Sequence, residues 1–102
     1  MTIYRVRTVD LAAEKASAAR EVMVRAAAHL TARYPEIHVE ILHKMADPSH
    51  RLHMVTRCAS KEALAVYEAA RTDDTGWLAL LEAYQRLNAQ TSAVDSIYEL
   101  VE

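Results

Sequence analysis

Phenylalanine is absent from this chain of 102 residues, and glycine, cysteine and tryptophan each occur once. One glycine and two prolines leave little material for tight turns, so the chain is expected to consist of long regular elements with short links. The lone Cys58 cannot form an intrachain disulfide, which excludes a small disulfide-held exported scaffold. No apolar run approaches the roughly 20 residues that span a bilayer. The chain goes directly into a strand pattern at Ile3, and a cytoplasmic location without membrane contact is expected. A net charge of -2 and a pI near 6.2 give no basic footprint for nucleic acid or for an anionic membrane.

What is present is globular. Hydrophobic residues make up 52% of the chain and charged residues 25%, enough for one core and one domain over residues 1–102. Ile3 to Val9 alternates at period two, with Tyr4, Val6 and Thr8 on one face and Arg5 and Arg7 on the other. Asp10 is a candidate helix cap. From Ala12, an apolar stripe through Ala16, Ala19, Met23, Ala26, Leu30 and Tyr34 predicts an amphipathic helix ending before Pro35.

Ile37 to Met45 alternates again, with Ile37, Val39, Ile41 and His43 against His38, Glu40 and Leu42. Ala46 to Ser49 has turn chemistry, and Arg51 to Cys58 reads as a third strand. A hairpin there sets Ile41 opposite Met54 and Val39 opposite Thr56, so that the apolar residues share one face. Ser60 caps a second helix carrying Leu64 and Tyr67 to about Arg71. The TDDT segment offers another cap before Trp77, Leu80, Leu81, Tyr84 and Leu87. Asn88 to Ser92 reads as a polar link, and SIYELVE as a last strand with Tyr98 and Leu100 toward the helices.

This order predicts an α+β, ferredoxin-like βαββαβ domain: a four-stranded antiparallel sheet with helices on one face and strand one between strands three and four. Arg5, Arg7, His53, Arg57, Glu40 and Glu99 are then expected on the open face. The layout, the length and the alanine-rich first helix resemble the dimeric α/β-barrel superfamily, which includes antibiotic-biosynthesis-monooxygenase and NIPSNAP-like families. The Ser60-led helix with Leu64 and Tyr67, the Trp77 segment and the C-terminal IYELV carry the same resemblance. It implies a homodimer whose two sheets face one another around the ligand, with Arg5 and Arg7 turned to that interior.

The resemblance implies a cofactor-independent monooxygenase or isomerase acting on a small hydrophobic or aromatic anion. Arg5, Arg7, Arg57 and Glu40 would contact the substrate, because guanidinium groups stabilise developing negative charge. His53 would move the proton. The same charged residues could instead pair across strands and subunits, which leaves a non-catalytic dimeric ligand- or protein-binding module as the alternative. No cofactor is expected. No metal is expected either, since His50 and His53 fall on opposite faces of a strand. Trp77 and Tyr84 read first as core, and Cys58 as a buried thiol. The haem-degrading branch needs a histidine after the tryptophan, and none follows Trp77. An RNA-binding sheet would carry stacking aromatics where this one carries Arg, His, Val and Leu.

Overall fold

A computed structural model describes residues 1–46 and 50–102, so Asp47, Pro48 and Ser49 of the expected turn lie outside the described residues. The chain forms β1 (Ile3–Leu11), a 3-10 turn (Ala13–Lys15), α1 (Ala16–Arg33), β2 (His38–His43) and β3 (Arg51–Cys58). It continues with α2 (Lys61–Arg71), α3 (Thr75–Leu87) and β4 (Gln90–Glu99). All strand pairs are antiparallel in the order β2-β3-β1-β4, with β1 between β3 and β4 as expected from the sequence. No helix among the described residues is long and apolar enough to cross a membrane.

The local signals act largely where the sequence puts them. Ser60 Oγ accepts the Ala63 N–H at the start of α2, and Asp74 Oδ1 accepts the Trp77 N–H at the start of α3. At the other end of α3, Asn88 takes the left-handed conformation with φ 48° that ends a helix when glycine is not used. The β2/β3 hairpin has the expected register, Val39 opposite Thr56 and Ile41 opposite Met54. Between sheet and helices lie two apolar clusters, one around Ile3, Leu30, Leu64 and Tyr67, the other around Val9, Leu11, Met23 and Leu52.

Three expectations are corrected. Asp10 does not cap α1: β1 runs on to Leu11, and Asp10 is bound through its carboxylate to Arg51 and Ser92 across the strands. The last strand begins at Gln90 rather than at Ser96, because Thr8, Asp10 and Leu11 pair with Val94, Ser92 and Gln90. The third correction concerns the faces. Ile3, Val9 and Leu11 are buried against the helices, and strand geometry then carries Arg5 and Arg7, which share their parity, to the same side. Tyr4, Val6, Thr8 and Asp10 face the open side instead. In β4, Asp95 and Ile97 share the side of Arg7 and Arg5, while Val94 and Tyr98 are on the open face.

Candidate anion-binding cleft between sheet and helices

The sheet therefore divides the charged residues into two groups. Arg5 and Arg7 rise toward α2 and α3, while His53 and Arg57 of β3 and Glu40 of β2 lie on the other face. These five side chains do not converge. A hollow of about 470 Å³ opens on the helix side between β1, β3, α2 and α3, lined by Arg5, Arg7, Met54, Glu68, Arg71, Trp77 and Leu81 among others. Its volume falls within the range of small-molecule sites. A smaller apolar recess of about 70 Å³ lies next to it beneath α3, between Val22, Met23, Leu80 and Tyr84. Arg7, Met54, Trp77 and Leu81 line both.

Each cationic group in the cleft has a different environment. Arg7 makes a two-pronged ion pair with Asp95, Nε to Oδ1 and Nη2 to Oδ2, both 2.8 Å. That pair holds the Asp95 carboxyl below its ordinary range, with burial opposing. Arg5 is paired with Glu68 of α2, and its second amino group lies 3.7 Å from Asp95. Arg71, at the end of α2, lies over two rings, its Cζ 5.1 Å from the centroid of Tyr67 and 4.6 Å from that of Trp77. Its Nη1 donates to the Tyr67 hydroxyl at 3.3 Å. Burial pushes the Tyr67 and Tyr84 phenols up, so both are neutral near pH 7.

The position of Trp77 is set from behind. Asp74 is 6% exposed and gathers the Trp77 N–H at 3.0 Å, His29 Nε2 at 2.9 Å and the Tyr34 hydroxyl at 2.9 Å. Burial would raise its pKa, but these donors outweigh it and hold the group at about 2. Trp77, expected as core, is only partly buried and forms a wall of the cleft. Arg71 and Glu68 were not among the residues marked by the sequence. The available signal was helical spacing, since Tyr67 and Arg71 are four apart and must meet on one face of α2.

On the open face, His53 Nδ1 lies 2.8 Å from Thr8 Oγ1, and His38 Nε2 lies 3.5 Å from Glu40. Arg57 is exposed and lines a shallow polar depression with Tyr4 and His38. Cys58 is 3% exposed with its Sγ 3.5 Å from the Ser60 carbonyl oxygen, and burial raises its pKa. Among the described residues, no group of three or more His, Cys, Asp or Glu side chains could hold a metal ion.

No protein-family model matches the chain, and no curated protein is similar to it in sequence. Solved structures are similar in fold. A NIPSNAP family protein from Agrobacterium tumefaciens superposes with a TM-score of 0.81 at 13% identity, covering 100% of this chain and 95% of that one. SnoaB, a cofactor-independent oxygenase from Streptomyces nogalater, gives 0.73 at 15% identity, covering 99% and 94%. A dimeric protein of unknown function and ferredoxin-like fold from Bacteroides fragilis gives 0.73 at 11% identity, covering 97% and 96%. Others are described as proposed antibiotic biosynthesis monooxygenases. At these identities the likeness establishes the fold, and the fold is that of the antibiotic-biosynthesis-monooxygenase and NIPSNAP structures.

Proposed function

We propose that this protein is a small-molecule enzyme of the cofactor-independent oxygenase or isomerase type, working as a homodimer, with its substrate in the helix-side cleft. The observation that carries the reading is the meeting of Arg5, Arg7 and Trp77 around one hollow of about 470 Å³ that adjoins an apolar recess. A hydrophobic substrate would occupy the hollow with an apolar edge against the recess, and the guanidinium groups would stabilise an enolate or phenolate formed from it. Such an anion isomerises when it is reprotonated at another carbon. With molecular oxygen, a substrate CH₂ becomes a carbonyl, one oxygen atom entering the substrate and the other leaving as water. The fold shared with an oxygenase supports this reading by analogy.

Arg5 and Arg7 keep the substrate-contact role in this proposal, on the helix side. Glu68 is the carboxylate placed to exchange a proton there, in place of His53, which the sheet separates from the cleft. His53, Arg57 and Glu40 lie at the seam between copies. The open face supports that assembly: Leu42 is 49% exposed, Val94 61% and Tyr98 55%, with Val6 and Val55 paired at its centre. The similar protein from Bacteroides fragilis is described as dimeric.

The test is a panel of apolar organic acids, each followed by NMR and an oxygen electrode. Arg7→Gln and Trp77→Leu are expected to lower kcat/KM about 10- to 100-fold on any compound turned over. Unchanged turnover in both variants overturns the assignment. A ligand-binding module without catalysis is the second reading, favoured by the absence of histidine from the cleft lining. Saturable binding with no turnover across the panel selects it.

A further inference from the structure

We propose that Arg71 is the anion receptor of this cleft and that the ligand is a flat, apolar monocarboxylate whose carboxylate it holds beside Trp77. This deepens the cleft reading above and rests on it. Of the three arginines lining the cleft, Arg5 and Arg7 are each joined to a carboxylate, Glu68 and Asp95. Among the described residues, no carboxylate lies within ion-pair distance of Arg71, which is half-buried and lies over the rings of Tyr67 and Trp77.

A guanidinium in this position is already oriented. Tyr67 and Trp77 lie against it, and one N–H is used by the Tyr67 hydroxyl, so its remaining in-plane donors are available to a planar acceptor. A carboxylate matches that fork with two parallel hydrogen bonds, at little further cost in side-chain entropy. Charge sets the valence of the ligand. Three guanidinium groups against two carboxylates leave one positive charge in the cleft, which a singly charged ligand neutralises and a phosphate dianion exceeds. The shape is set next to it: Trp77 offers an aromatic wall, and the recess past Leu81 is bounded by Met23 and Leu80.

The probes are 2-naphthoate and its neutral counterpart 2-naphthamide, which share one ring system and differ in charge. Binding is measured by calorimetry, and its location by the indole N–H signal of Trp77, the single tryptophan of the chain. The expected result is at least about tenfold tighter binding of the acid to the unaltered protein, with a shift of the indole signal. In Arg71→Gln the preference of acid over amide disappears. Equal binding of acid and amide to the unaltered protein overturns the proposal without recourse to a variant. So does an undiminished preference in Arg71→Gln. In both cases, amide binding that moves the indole signal leaves the cleft reading standing. If neither compound moves that signal at millimolar concentration, the cleft reading fails and the proposal fails with it.

Discussion

Gly76 and His29 approach so closely that a β-carbon built on the glycine would lie 2.5 Å from the imidazole Cε1. Gly76 lies in the first turn of α3, with negative φ, so its role is to leave space for the ring rather than to adopt an unusual backbone conformation. The ring is held in place by Asp74. Alanine at position 76 is therefore expected to destabilise by about 1 to 3 kcal/mol, although a helix interior ordinarily favours alanine over glycine by about 1 kcal/mol. In a His29→Ala background the sign reverses and Gly76→Ala becomes stabilising. Urea unfolding of the four proteins in this cycle measures the coupling, and additivity of the two changes would contradict it.

Acid should loosen the same corner. The Asp74 carboxyl is held at about 2 by Trp77, His29 and Tyr34 against the cost of burial, and that of Asp10 at about 2 by Arg51 and Ser92. Both lie below the value of about 3.9 in an unfolded chain. Their contribution is complete above that unfolded value and is lost as pH falls from about 4 toward 2. The urea midpoint should drop through that window, and Asp74→Asn should make the drop shallower. At neutral pH the Asp74→Ala variant is expected to lose about 1 to 3 kcal/mol, since a helix cap and two half-buried donors lose their acceptor together.

Opposite faces of α1 should respond differently to the same loss of side chain. Leu30 is fully buried, and Leu30→Ala is expected to cost about 2 to 5 kcal/mol through lost burial and the cavity left behind. Val24, 50% exposed, should change stability by less than about 0.5 kcal/mol as Val24→Ala. Thermal unfolding of the two variants checks the contrast.

The proposed sheet-to-sheet dimer makes a prediction for Val55, which pairs with Val6 in the middle of the open face. Val55→Asp would place like charges at the proposed seam between copies, and is expected to leave a folded monomer by native mass spectrometry and circular dichroism. A monomeric parent protein at micromolar concentration would remove the dimer. The same spectrum reports any small molecule carried through purification.

The architecture was legible in the sequence because strand alternation, helical periodicity and the caps Ser60 and Asp74 are local signals, and the hairpin register follows from matching Val39 and Ile41 to Thr56 and Met54. The faces of β1 were less legible. Over Ile3 to Val9 alone, Tyr4, Val6 and Thr8 look more apolar than Arg5 and Arg7, yet Ile3, Val9 and Leu11 share the arginines' parity and decide the matter by burial. A gap between α2 and α3 makes room for two guanidinium groups on the buried side, and no property of a single strand announces that gap. Asp95, opposite Arg7, also fixes the parity of β4, which its alternating small and polar residues leave open. The cleft was hidden for the same reason, since Arg71, Glu68 and Trp77 meet Arg5 and Arg7 only after three elements have packed.

The strand order carries a consequence for synthesis. β1 is made first, but it stands between β3, which begins at Arg51, and β4, which ends at Glu99. During translation the central strand stays unpaired on one edge until β4 has been made, because no earlier strand among the described residues takes the place of β4. Pairings of such long sequence separation form slowly and late. Between the making of β3 and that of β4 the sheet has at most three strands, with one edge of β1 open to wrong pairing, and the four-stranded sheet closes only when β4 joins it.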